Sequence, residues 1–249
     1  MPAMVRLSVN VNKVATLRNS RGGAAPSVVE AVQVCVEAGA PGITVHPRLD
    51  ERHIRPGDVY DIAAELEPLR DRVEYNIEGD PRPDLVEMVD KVRPDQCTLV
   101  PVRPGELTSE AGWPADTPKA ALAEIVARFH ERGVRVSVFV DPEPGPIDWA
   151  AELGADRIEL YTEPYARAFE RGGDALDLSL ERYRAAVERA ASNQLGVNAG
   201  HDLDLANLPT FLNLPNIDEV SIGHALMARA LFAGLGSAVE EYLQITGPR

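Results

Sequence analysis

The chain is poor in lysine, cysteine and aromatic residues, and it lacks any long apolar run. Only three lysines stand against 22 arginines: Lys91 and Lys119 fall in or at the start of predicted helices, and Lys13 directly follows the first predicted strand. The two cysteines, Cys35 and Cys97, form no CxxC pair and read as buried free thiols of a cytosolic protein. No stretch approaches the roughly 18 consecutive apolar residues of a membrane span. The first residues, Met1 to Arg6, run directly into a strand without an apolar signal region, so a cytoplasmic location is expected. Basic charge is also in deficit. A net charge of −14 argues against a nucleic-acid or anionic-membrane surface. No P-loop, G-x-S-x-G, zinc-spaced cysteine set or G-x-G-x-x-G after the first strand occurs.

What is present is 249 residues with 45% hydrophobic content and only 5% aromatics, which suits a core of Val, Ile, Leu and Ala. Short β-branched runs predict strands at Leu7–Val11, Ile43–Val45, Val73–Ile77, Cys97–Val100, Val134–Val140, Arg157–Tyr161, Gly196–Asn198 and Glu219–Ile222. Helices are expected at Val28–Ala38, Pro56–Leu66, Pro83–Val92, from Thr117-Pro118 to Arg132, Pro146–Leu153, Ser179–Asn193, Leu203–Leu212, from His224 to about Leu235, and Ser237–Ile245. Lys13–Arg21 reads as a basic loop, and Thr162–Leu178 as a longer excursion. Parallel strands need crossover helices, and eight such units close into a TIM (β/α)8 barrel of about 250 residues, here with extra helices. No linker composition interrupts the chain, so residues 1–249 are expected to form one domain. An open doubly wound sheet is the structural alternative.

Three apolar runs end on histidine, at His46, His201 and His224, out of five histidines in all; His53 follows in a loop and His130 reads as helix surface. Any one of them has a bland reading as a strand cap, but three together point to a shared pocket at the carboxyl ends of the strands. The same cup would receive Asn10, Asn12, Lys13, Arg48, Asn76, Glu78, Asp141, Glu159, Tyr161 and Asn198. Alternation aims Glu78 inward beside Asn76, as a general acid/base or as a salt-bridge partner of an arginine. Glu159 lies in the apolar run Ile158–Leu160 and needs a polar partner inside the barrel, while Asp156 and Arg157 are expected to face the helix layer. Arg48, Arg52 and Arg55 concentrate cations around His53, either as an exposed turn or as a phosphate-binding loop. Gly200, Gly223 and the helix starts after them offer backbone N–H groups to a second phosphate. Metal hydrolysis is a minor reading, because Asn10-Val11-Asn12 stands where barrel hydrolases carry His-x-His.

These residues resemble the pyridoxine 5′-phosphate synthase family. The resemblance rests on Asn10 to Gly22, Gly42 to Arg48, Arg52-His53-Ile54, Asn76-Ile77-Glu78, Leu99-Val100-Pro101, Val197 to His201 and Ile222 to Ala225, and covers almost the whole chain. It implies condensation of 1-deoxy-D-xylulose 5-phosphate with 3-amino-2-oxopropyl phosphate on a cytosolic TIM barrel. It further implies a homo-octamer that needs neither metal nor organic cofactor. The implied bases are His46 and Glu78, the proton donor His201, and the transition-state-stabilising glutamate Glu159. Sugar-phosphate contacts are implied for Asn12, Lys13, Arg48, His53 and Thr108, and aminoketone-phosphate contacts for Asn10, Arg21, Asp202, Gly223 and His224. Asn12-Lys13 departs from the more familiar Asp-His, Pro47 and Asp202 replace a commoner leucine and glycine, and Glu163-Pro164 replaces a small residue. The chain therefore reads as a divergent branch running the same reaction. An aldolase or isomerase of phosphorylated sugars with Lys13 as Schiff-base amine, or a non-catalytic binder, are the alternatives.

Overall fold

The β-branched runs pair in parallel, each with its neighbour in sequence. A computed structural model of the protein describes residues 5–101 and 111–247. Its strands are β1 (Arg6–Asn10), β2 (Gly42–Val45), β3 (Glu74–Gly79), β4 (Gln96–Leu99), β5 (Arg135–Val140), β6 (Arg157–Tyr161), β7 (Gly196–Gly200) and β8 (Glu219–Ile222). The ladder closes where β1 meets β8, with Arg6 opposite Glu219 and Val9 opposite Ile222. This closure makes a TIM barrel and removes the open-sheet alternative.

The helices are α1 (Asn12–Asn19), α2 (Val28–Glu37), α3 (Pro56–Leu66), α4 (Pro83–Val92), α5 (Ala120–Glu131), α6 (Pro144–Leu153), α7 (Glu163–Arg171), α8 (Gly173–Ser192), α9 (Leu208–Phe211), α10 (His224–Ala233) and α11 (Leu235–Thr246). One set of alternate strand residues, including Leu7, Val9, Ile43, Val45, Ile77, Val138, Ile158, Leu160 and Val220, is fully buried in the apolar core shared with the helices. Cys35 and Cys97 are free and buried there, and burial pushes the Cys35 thiol up to about 12.

The other set of alternate residues fills the barrel with polar groups, where many TIM barrels carry branched apolar ones. Ser8 and Thr44 hydroxyls meet at 2.6 Å, Asn76 Nδ2 donates to Thr44 Oγ1 at 3.3 Å, and Thr98 Oγ1 donates to Asn76 Oδ1 at 3.1 Å. Nearer the strand starts, Glu74 accepts from Arg6 at 2.7 Å and from Arg135 at 2.6 Å. Arg157 Nη1 donates to Asn198 Oδ1 at 2.9 Å. Arg157 therefore belongs to the barrel interior, contrary to the expectation that it faces the helices: it stands two residues before Glu159, and a strand's period of two puts both on one face.

Two segments expected to be irregular are helical. Lys13–Arg21 contains α1, whose buried face is Val14, Ala15 and Arg18. The apolar period is masked because Arg18 occupies the third buried position, neutralised there by bidentate bonds to Asp58 at 2.5 and 2.8 Å. Thr162–Leu178 contains α7 and the start of α8; Gly172 separates them and Gly173 opens α8, both with φ in the left-handed region (66° and 54°). Conversely, the helix expected at Leu203–Leu212 shrinks to α9, since Asp204 Oδ1 takes the N–H groups of Ala206 and Asn207 at 2.8 Å each. Thr117 does not cap α5, which starts at Ala120 with Lys119 in the capping place.

Candidate active site

The carboxyl ends of the strands surround a cavity of about 930 Å3. Its β1 and β2 side is tied together by two asparagines. Asn10 Oδ1 accepts from Asn12 N at 3.0 Å, opening α1 immediately beyond the strand, and Asn12 Oδ1 accepts from His46 N at 2.9 Å. That chain of bonds fixes the backbone from which His46 projects.

His46 Nδ1 stands 3.9 Å from Glu78 Oε2. The contact joins two neutral groups rather than an ion pair. Burial holds His46 well below the usual imidazole range, helped by the nearby His53 ring and by the cations Arg48 and Arg82. Burial pushes the Glu78 carboxyl up to about 8, with repulsion from Glu219 adding to it. Glu159 is raised by burial first, then by Glu78 and Glu219. Among the described residues, His46 Nε2 and Glu159 Oε2 are buried without a hydrogen-bond partner. Buried polar atoms in that condition are costly, and a site built to receive a polar ligand is one that tolerates them.

The loop after β2 is held from α1 and α3. Arg18 Nη2 and Asn19 Nδ2 donate to the His53 carbonyl at 3.3 and 2.7 Å. His53 Nδ1 accepts from Ile54 N at 2.9 Å, so the neutral ring carries its proton on Nε2. Burial, Arg48 and Lys13 lower His53 to about 4. Arg48 is buried at the cavity wall, and Arg52 is braced by Asp50 at 2.5 Å. With Lys13 in the first turn of α1, these cations make the β1–β2 side a receptor for an anion.

Across the barrel, Glu159 depends on a glycine: a Cβ at Gly200 would lie 2.4 Å from Glu159 Oε1. The His201 ring packs against Phe139 and Tyr161, with centroids 5.0 and 5.5 Å away. Burial lowers His201 most; Asp202 opposes that and Lys13 reinforces it. Gly223 precedes α10, whose first residue is His224; a Cβ at Gly223 would meet the Asn10 side chain at 3.2 Å. Gly223, His224 and Ala225 line the same cavity wall, and the N–H groups of a helix's first turn suit a phosphate.

The cavity thus gathers His46, Glu78, Glu159 and His201 with Asn10, Asn12, Lys13, Arg48, His53, Asp202, Gly223 and His224. Arg21 does not join them; it is exposed beyond the far end of α1, an eight-residue helix about 12 Å long. Thr108 lies outside the described residues. Asn76 and Asn198 sit deeper in the barrel, and Asp141 is not part of the wall. His130 is on α5, 2.8 Å from Asp156, as helix surface. Thr16, Phe139, Arg167 and Ser221 line the cavity without having been expected there. Thr16 and Arg167 follow once α1 and α7 are helices: Thr16 is one turn after Lys13, and Arg167 pairs with Glu163 four residues earlier. Among the described residues, no cluster of three or more His, Cys, Asp or Glu is arranged to hold a metal, and no helix is long and apolar enough to cross a membrane.

A closed parallel barrel with proton-handling and cationic side chains at its carboxyl end defines a TIM-barrel enzyme. The fold alone is shared widely. The barrel is similar to phosphoribosyl anthranilate isomerase from Thermotoga maritima (TM-score 0.61, 16% identity, 98% of each chain) and to the YdjI aldolase from Escherichia coli K12 (TM-score 0.64, 13% identity, 98% of this chain and 92% of that one). The chain belongs to the family described as pyridoxal phosphate biosynthesis protein PdxJ, which it matches over residues 7–247. It is 50% identical over 240 residues to the pyridoxine 5′-phosphate synthase of Bacteroides thetaiotaomicron, covering 96% of this chain and 98% of that protein. The enzyme of the same name from Leptospira biflexa is 46% identical over 252 residues, with 97% of each covered.

Proposed function

We propose that this protein is a pyridoxine 5′-phosphate synthase that condenses 1-deoxy-D-xylulose 5-phosphate with 3-amino-2-oxopropyl phosphate. The products are pyridoxine 5′-phosphate, inorganic phosphate and two waters. The observation that carries this reading is the convergence of His46, Glu78, Glu159 and His201 on one cavity with cations along one side, in a chain of this family.

The chemistry needs several proton transfers, and the site supplies groups in complementary states. The amine of one substrate attacks the ketone of the other, and loss of water leaves an imine. His46, kept neutral by burial, is suited to take a proton from carbon next to that imine. Glu78 enters holding a proton and can give it to a departing hydroxyl; a cationic iminium nearby then favours its carboxylate, so it serves as a base later. His201 donates a proton to a leaving oxygen, and Glu159 stabilises the positive charge that develops on nitrogen. After a chain hydroxyl has left as a second water, phosphate is eliminated and one water adds to the carbon that bore it, forming a hydroxymethyl group. Attack of the remaining enol carbon on the carbonyl carbon and loss of a third water close the aromatic ring, so that two waters are released in all. Lys13, Arg48 and His53, with Asn12, would hold the sugar phosphate. The Gly223–His224 turn, with Asn10 and Asp202, would hold the other phosphate. Thr108 and Arg21 are assigned to these two sites by family resemblance alone.

By the same resemblance the protein works in the cytoplasm as a homo-octamer, without metal or organic cofactor; the exposed Leu231 and Phe232 of α10 (74% and 90%) support an assembly surface. The test is incubation of purified protein with both phosphorylated substrates and no added metal, following product by absorbance and mass. Product that disappears in His46→Ala and Glu78→Ala supports the assignment. Absence of product from folded protein, with borohydride trapping of a substrate on Lys13, would replace it by the aldolase reading.

A further inference from the structure

We propose that Thr162 is the positioning residue of His201, holding the histidine's backbone in a left-handed conformation so that its ring faces the cavity. Thr162 occupies the N-cap of α7, where a threonine hydroxyl ordinarily accepts an N–H from its own helix. It makes no such bond. Instead the fully buried side chain turns to the end of β7, placing Oγ1 2.5 Å from the Gly200 carbonyl oxygen and in contact with the His201 carbonyl oxygen as well. The Thr162 N–H also donates to the Gly200 carbonyl, at 2.9 Å. One hydroxyl proton shared between two carbonyls makes a three-centre bond.

Those carbonyls border an unusual piece of backbone. His201 and Asp202 are consecutive non-glycine residues with φ of 79° and 58°. A Cβ disfavours that region, and residues persist there only when their surroundings over-determine it. Two side chains do so here: Asn207 Nδ2 donates to the Asp202 carbonyl at 2.9 Å, and Thr162 holds the two carbonyls before it. Tyr161, the residue before Thr162, packs its ring against the His201 imidazole. The end of β6 therefore grips His201 twice, through the ring and through the backbone. Without the hydroxyl, the Gly200 carbonyl keeps the Thr162 N–H, but the His201 carbonyl loses its tie to Thr162; the peptide after His201 can then turn, and a turn there swings the imidazole out of register with the cavity.

The catalytic part of this inference rests on the reading of His201 as a proton donor, so the test has two arms. In full-length protein, Thr162→Val removes the donor at nearly constant volume, and Thr162→Ser keeps it. Thr162→Val is expected to lower kcat about ten- to hundredfold, the cost of misplacing a catalytic group by about 1 Å, with KM for both substrates within about threefold. Thr162→Ser is expected to recover kcat to within about threefold. In the second arm, the His201 imidazole is followed by nitrogen-labelled histidine NMR across a pH series, with His130 as internal reference. The His201 signals should move in Thr162→Val and return in Thr162→Ser, while those of His130 stay. Wild-type kcat in Thr162→Val, a loss confined to KM, or an unmoved His201 signal overturns the proposal. If Thr162→Val does not fold, Thr162→Ala is read by the same criteria. Should His201→Asn retain full kcat, or should the wild type make no product, the proton-donor reading fails, and the NMR arm alone decides whether Thr162 positions His201.

Discussion

Replacing Glu78 with glutamine keeps the shape of the side chain and removes its titration, which isolates the cost of ionising a carboxyl inside the barrel. Burial and the nearby Glu219 raise Glu78 from 4.5 to about 8. The folded protein thus holds this proton more tightly than the unfolded chain does. The stabilisation is complete below pH 4.5 and is lost as pH rises through about 8. At about 1.4 kcal/mol per pH unit, the full displacement corresponds to roughly 5 kcal/mol. Solvent entering through the cavity mouth weakens the field, so about 2–5 kcal/mol is expected. That is a large part of the roughly 5–15 kcal/mol that holds a domain folded. Denaturant unfolding at pH 5, 7 and 9 should show Glu78→Gln gaining on the wild type as pH rises, while product formation collapses at every pH. Stability curves of the two proteins that stay parallel from pH 5 to 9 would refute the claim that Glu78 enters the reaction as an acid.

His53 carries the opposite sign. Its pKa falls from 6.5 to about 4, so its contribution is present above pH 6.5 and is lost as pH drops through 4. His53→Asn, whose Oδ1 can still accept from Ile54 N, should remove about 2–3 kcal/mol of the acid destabilisation seen by unfolding at pH 7 and pH 4.5. Gly200→Ala places a Cβ 2.4 Å from the present position of Glu159 Oε1, too close for the carboxylate to stay; circular dichroism should report an intact barrel while kcat falls at least about tenfold. Arg48→Lys should raise KM for the sugar phosphate about tenfold with kcat little changed, because an ammonium cannot reproduce a bidentate guanidinium bond. Asp58→Ala strands the buried Arg18 that holds the His53 loop, and thermal unfolding should show a loss of about 3 kcal/mol.

Much of the site was legible because barrel strands are short and their carboxyl ends converge. Three histidines at strand ends, Glu78 two residues beyond Asn76, and Lys13 just past the first strand all follow from period and position, and all but the deeper Asn76 reach the cavity. The helix after β1 was not legible, because its third buried position is an arginine that only Asp58, forty residues away, makes tolerable. The polar filling of the barrel was equally hidden. Arg157 looks like a surface charge until Asn198 and Glu219, from the next two strands of the barrel, are brought near it.

The eight strands, most of the helices between them and the family follow from the sequence by itself, since apolar period, turn residues and ordered motifs are local properties of the chain; the pairing of β1 with β8 that closes the barrel is tertiary. The protonation of the site does not. Glu78 and His46 are an acid and a base with ordinary titrations when taken singly. Their neutral forms are favoured only because the fold excludes water from both and sets Glu219, Arg48 and Arg82 around them. The left-handed backbone at His201 is likewise a tertiary decision, imposed by Thr162 just beyond β6 and by Asn207 before α9 on residues that, in isolation, would avoid it.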